Sequence, residues 1–191
     1  MISNAEPVLA RFLRAHGLDS YEALVARANR DPDWFWPAVM AFHDLRFTKP
    51  YDRLLDVSQG VEWPRWCVGG ELNIAANCLD RTLERVSPDK PAILWEGEDG
   101  ARRSMSYAEL RAETARGAGA LVGLGVKPGE VVGVFMPSVP EAIVAFLAVM
   151  SVGAIALPMF SGFAAHALTQ RLADAGAVAL IAADMTWRRA R

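Results

Sequence analysis

Between Val131 and Ala182, mostly apolar segments follow one another with links of only a few residues, and that order leaves few folds open. VVGVFM at 131–136 is a short run rich in β-branched residues. Pro140-Glu141 opens an apolar stretch that continues to Val152, and Gly153 stops it. Ala154 to Met159 is again strand-like, residues 164–175 have helical spacing, and Val178 to Ala182 is a further apolar run. Strand–helix–strand–helix–strand with short links predicts a parallel sheet joined by right-handed crossovers. A second reading arises because no charged side chain occurs from Ala142 to Ala165, a length that suits a membrane span. Gly153 and Pro158 interrupt the run, and no basic anchor accompanies Glu141. A buried helix followed by a buried strand is therefore the expectation, with no membrane span.

Upstream, PAILWE at 91–96 reads as a strand, GEDG as a turn and RRSMS as the returning strand. Ser106 with Glu109 predicts a capping box for a long helix that ends at Gly123 or Gly125. Residues 4–46 read instead as short helices. Val8, Leu9, Phe12 and Leu13 share one face behind Pro7. Asp19 with Glu22 predicts a capping box ahead of Leu24, Val25 and Ala28, and Asp31-Pro32 opens a further helix with Trp34, Phe35 and Trp36 as packing aromatics. Residues 47–70 lack periodicity and carry Pro50, Gly60, Pro64, Gly69 and Gly70. They predict an extended arm anchored by Trp63 and Trp66 without a core of its own. A helix over 72–86 would bury Leu72, Ala75, Ala76, Leu79 and Leu83. The domain reading is a helical leader and arm over 1–86, then an incomplete α/β domain over 87–191.

A net charge of -2 gives no electrostatic case for nucleic acid or an anionic membrane as partner. Cys67 and Cys78 lack CxxC spacing and fit a reduced, cytoplasmic context. MISNAEPVLARFLR lacks the layout of a secretory signal. Gly117, Gly119 and Gly123 imitate a dinucleotide fingerprint, but their spacing is GxGxxxG and they fall within a helix. Close helix packing is the better reading. GxxxxGK[ST], HExxH and GxSxG are absent, and His16, His43 and His166 are scattered. No catalytic residue and no metal ligand can be assigned.

WCVGGELNIAANCLDR at 66–81 resembles the segment that joins the helical leader of acetyl- and propionyl-CoA synthetases to their adenylating domain. SYAELR at 106–111 is similar to the opening helix of that domain. VVGVFMPSVPEAIVAFLAVMSVGAI at 131–155 and FSGFAAHALTQRLADAGAVALIAAD at 160–184 resemble its second and third strand–helix units. The fold this implies is α/β: a helical amino-terminal leader plus the first part of a parallel-sheet adenylate-forming (AMP-binding) domain, truncated. The implied parent enzyme is an AMP-forming acid–CoA ligase of the cytoplasm. It activates a short carboxylic acid with Mg-ATP, releases pyrophosphate, and passes the acyl group from AMP to coenzyme A. In the family the triphosphate loop, the adenosine-holding Asp and Arg, and the lysine that assists adenylation all lie downstream of Arg191.

The resemblance implies one functional element within the chain. Phe160, Ser161 and Gly162, with Arg188 and Arg191, match positions that face the coenzyme A nucleotide. Guanidinium groups suit the 3′-phosphate, and an aromatic beside small residues suits the adenine. The family usually has a second glycine where this chain has Ser161, and small residues near Arg189 and Ala190. The resulting expectations are an inactive fragment with at most weak CoA binding, a small carboxylate as the parent's substrate, and a homodimer through the sheet edge at Val178–Ala182. The alternatives are a non-catalytic interaction or regulatory module derived from such a ligase, and a nicotinamide-dependent oxidoreductase that rests on architecture alone.

Overall fold

The structure is a computed structural model and describes residues 6–184. The chain divides into two compact units, one ending at Leu72 and the other beginning at Asn73.

The first unit contains α1 (Val8–Ala15), α2 (Tyr21–Arg30), α3 (Pro32–Phe42) and the antiparallel pair β1 (Arg53–Asp56) and β2 (Arg65–Val68). Phe12 of α1 is buried, and its ring meets those of Phe35 and Phe42 edge-on. Asp31 caps α3 through the Trp34 N–H, 3.0 Å away, with Pro32 in the first turn where no donor is needed. The three aromatics of α3 do pack: Arg27 lies 3.5 Å from the Trp34 ring centre, and Trp36 meets Trp66 edge-on at 5.8 Å. The α2 cap differs from the expectation. Ser20, one residue beyond Asp19, has the extended backbone of a cap, and its hydroxyl accepts from the Ala23 N–H at 3.1 Å. The arm differs too, because it contains a hairpin. Leu54 is buried in it, Leu55 pairs with Trp66, and Asp56 is held by Arg65 at 2.5 Å and by the Ser58 N–H at 3.0 Å. Four-residue strands are too short to show an alternation in the sequence.

The second unit begins with α4 (Ile74–Cys78) and α5 (Asp80–Leu83), where one continuous helix was expected. Leu79 breaks it, with φ -107 and ψ -70. That break lets Leu79 sit buried in one cluster with Ala75, Leu110 and Leu147. Leu72 is exposed rather than part of this stripe. Asn73 closes the amino end of α4: its Oδ1 accepts from the Ala76 N–H at 3.1 Å. Its Nδ2 donates to the Met150 and Ser151 carbonyls at 3.4 and 3.1 Å.

The hairpin of β3 (Pro91–Glu96) and β4 (Arg102–Ser106) leads into α6 (Tyr107–Gly123). The Ser106–Glu109 capping box forms in both directions, Glu109 N–H to Ser106 Oγ at 3.2 Å and Ser106 N–H to Glu109 at 2.8 Å. There follow β5 (Val131–Phe135), α7 (Pro140–Val152), β6 (Ile155–Met159), α8 (Ala165–Asp174) and β7 (Ala177–Ala182). Gly153 ends α7 in the left-handed conformation at φ 78, which a side chain would strain. The strands form a parallel sheet in the order β6-β5-β7. Val132 and Val134 of β5 face α6 and α7 and share a buried cluster with Leu121, Ala145, Ala148 and Val149. Gly133 faces the opposite side, where Leu172 of α8 covers it. Helices on both faces of a parallel sheet make this a doubly wound α/β arrangement. Among the described residues no helix is long and apolar enough to cross a membrane.

Candidate functional site

In an open parallel sheet the carboxyl ends of the strands are where the loops can build a ligand site. Here those ends lie side by side, since Phe135 is in register with Met159 on one flank and Ala182 on the other. The segments that leave this edge are residues 136–139, residues 160–164 and the stretch after Ala182. Phe160, Ser161 and Gly162 lie in the second of these. Arg188 and Arg191, and Trp187 beside them, lie outside the described residues.

The 160–163 segment is a tight turn in which the Phe163 N–H donates to the Phe160 carbonyl at 3.0 Å. Ser161 and Gly162 occupy its centre and are half-buried, while Phe160 is 66% exposed. The two phenylalanine rings meet edge-on, 5.8 Å between centres and 85° between planes. The guanidinium of Arg171, on α8, sits 4.1 Å from the centre of the Phe163 ring. Its Nη1 donates to the Ala167 carbonyl at 3.1 Å. Phe163 and Arg171 were not picked out from the sequence, although FSGF, with an aromatic at each end of a small-residue pair, is the signal that could have found them.

The neighbouring 136–139 segment is braced from the hairpin. The Trp95 indole N–H donates to the Ser138 carbonyl at 2.7 Å, and Arg103, which pairs with Glu141, lies 5.7 Å from the Trp95 ring centre. The Arg103 guanidinium, bonded to the Glu141 carboxylate, holds that carboxyl below its ordinary range. Both side chains are about half exposed, so water screens the pair and its contribution to stability stays under about 1 kcal/mol.

Elsewhere a groove of about 490 Å³ is lined by Asn73, Ala76, Asp80, Arg111, Thr114 and Ser151. An Asp80–Arg111 ion pair lies along it, and the hydroxyl of buried Thr114 has no hydrogen-bond partner among the described residues. The groove lies on α4, α5, α6 and the end of α7, not on the loops that leave the strand ends. Gly117 on α6 explains itself as packing, because a Cβ there would meet the Ala148 Cβ of α7 at 2.9 Å. Gly119 and Gly123 have open space beside them, so the packing reading holds for Gly117 alone. Among the described residues no group of three or more His, Cys, Asp or Glu side chains could hold a metal ion.

Residues 79–190 match the AMP-binding enzyme family. The chain belongs to that family. Residues 21–78 match the acetyl-coenzyme A synthetase N-terminus, so the chain also carries the leader of that branch. An acetyl-coenzyme A synthetase of Deinococcus radiodurans is 43% identical over 171 residues, which is 90% of this chain and 26% of that protein. One from Mycobacterium tuberculosis is 39% identical over 191 residues, 100% of this chain and 29% of that protein. Among solved structures, an acetoacetyl-CoA synthetase from Streptomyces lividans superposes with a TM-score of 0.82 at 32% identity. It matches 93% of this chain, which in turn covers 28% of that structure. The chain thus spans between a quarter and a third of the length of these relatives.

Proposed function

We propose that this chain is part of an AMP-forming acid–CoA ligase that joins a short carboxylic acid to coenzyme A, with ATP converted to AMP and pyrophosphate. The observation that carries this reading is the identity of 39% over all 191 residues to an acetyl-coenzyme A synthetase. A carboxylate oxygen is a poor leaving group and AMP a good one, so such a ligase first transfers the acid to AMP and then lets the CoA thiol displace it. This chain's part is the coenzyme A nucleotide: the exposed Phe160 ring offers a face to the adenine, with Ser161 and Gly162 leaving room beside it. Arg188 and Arg191 supply charge for the 3′-phosphate. Magnesium would accompany ATP on residues outside this set, and no step through the metal is assigned to these side chains.

The leader and arm over 1–86 and the α/β region over 87–191 are read as the two working parts. A reduced, cytoplasmic setting suits both cysteines. The chain alone is read as unable to form the acyl-adenylate, and as a dimer through β7. Among the described residues that strand is bonded on one side only, and it exposes Val178 and Leu180. A second reading, a non-catalytic docking module, is favoured by Val61 and Trp63, which are 81% and 68% exposed between β1 and β2.

Carboxylate-dependent exchange of labelled pyrophosphate into ATP tests the assignment. The 191-residue chain is expected to show none. Measurable exchange with acetate or propionate would overturn its inactivity, and loss of CoA binding in neither Arg188→Ala nor Arg191→Ala would remove the nucleotide assignment.

A further inference from the structure

We propose that Phe163 and Arg171 are positioning residues for the coenzyme A site, forming a stacked support that holds the Phe160 ring where adenine can lie against it. This rests on the reading of Phe160 as the nucleotide platform. A largely exposed phenylalanine gains little burial energy from keeping one rotamer, and a ring that swings loses ordering entropy each time it binds a base. Phe160 is 66% exposed, yet it is not left to itself. Its neighbour three residues on meets it edge-on at 5.8 Å and 85°, the arrangement in which the electropositive rim of one ring faces the electron-rich face of another. The backbone bond from Phe163 N–H to Phe160 carbonyl fixes both ring origins on one turn.

Phe163 is supported in its own right by a cation. The Arg171 guanidinium lies 4.1 Å from its centre, inside the range where a charge is drawn to a ring face. Arginine is itself a flexible side chain, and here it is tethered. Its Nη1 donates to the Ala167 carbonyl one turn earlier on α8, so the helix determines where the guanidinium sits. The α8 backbone thus holds Arg171, Arg171 lies over Phe163, and Phe163 meets Phe160 edge-on. α8 also covers Gly133 of the central strand through Leu172, which ties the support to the sheet. Arg171 is exposed, so its removal is expected to leave the fold intact and to loosen the stack.

The test uses the full 191-residue chain with carbon-13-labelled phenylalanine, read by NMR without ligand and then with CoA. Arg171→Met keeps the length of the side chain and removes its charge; Arg171→Lys restores a cation; Phe163→Leu keeps bulk and removes the ring face. Arg171→Met and Phe163→Leu are expected to average the Phe160 ring shifts toward free values and to weaken CoA about two- to fivefold, with an unchanged melting temperature. Arg171→Lys is expected to recover part of both. Wild-type Phe160 shifts and wild-type CoA affinity in Arg171→Met and Phe163→Leu would overturn the support. If Phe160→Ala abolishes CoA binding while those two variants do not alter it, the support fails and the platform stands. If Phe160→Ala binds CoA as well as wild type, the platform itself fails, and the role of the support falls with it.

Discussion

Gly117 on α6 and Ala148 on α7 approach so closely that a methyl group on the glycine would lie 2.9 Å from the alanine's Cβ. Neither position has a flexible chain end that could move aside, and Ala148 is only 1% exposed. Gly117→Ala is expected to destabilise the second unit by about 1–3 kcal/mol through overpacking. Gly119→Ala, two residues on with nothing within 4 Å, should be neutral or stabilising by up to about 1 kcal/mol. Urea melts of both variants check the pair, and equal effects would show that the helices do not touch at Gly117.

Asn73 uses both ends of its amide, accepting at α4 and donating to the carbonyls that close α7. Asn73→Asp keeps the cap and removes the donor, whereas Asn73→Ala removes both. The alanine variant should lose about 1–3 kcal/mol and the aspartate variant a part of that. An aspartate as costly as the alanine would mean that the cap contributes nothing.

Asp56 provides a pH signature for the first unit. The Arg65 guanidinium bonded to its carboxylate, with the Ser58 N–H second, holds its carboxyl far below the ordinary carboxylate range. A lowered folded value means stability that is fully present above the unfolded value near 3.9 and is lost as acid approaches the folded one. Between roughly pH 4 and the lowest accessible pH, the β1–β2 hairpin should therefore weaken in the wild type. Asp56→Asn should remove that slope; an acid titration followed by Trp66 fluorescence would show whether it does.

Ser106→Ala removes one half of the box that starts α6 and should cost about 1 kcal/mol. The same box lowers the Glu109 carboxyl through the Ser106 N–H, so its contribution too is present at neutral pH and fades as pH falls. Hydrogen exchange in the first turn of α6 reads the loss locally, and unchanged protection in Ser106→Ala would contradict it.

Self-association through β7 predicts that light scattering will find a dimer, and that Val178→Lys, a charge on an exposed edge strand, will shift it to monomer. A monomeric wild type at tens of micromolar would remove the edge as an interface.

The parts of this fold that could be read from the sequence are those in which local chemistry and tertiary packing agree. Ser106 and Glu109, Pro140 and Gly153, and the uncharged strands all sit where their own residues ask to be, so the α/β order of the second unit was legible. Where packing overrode local preference, reading failed. The ANCLDR segment has helical spacing throughout, yet Leu79 breaks the helix to reach Leu110 and Leu147. Leu72 reads as the start of the same stripe and lies in a different unit. The β1–β2 hairpin depends on a pairing between residues far enough apart that neither strand shows it alone. At the candidate site, Phe160, Ser161 and Gly162 were singled out by resemblance alone. Phe163 and Arg171 appear only once α8 brings a cation back over the turn.

The two bonds from the Asn73 side chain join residues 77 and 78 positions apart along the chain. Closing so long a loop must wait until the carbonyls at the end of α7 have been set in place. Local contacts among α6, α7 and their strands can form first and need nothing from the start of the unit. The amide is thus a late fastening, and α4 should be among the first segments to peel away when the unit opens.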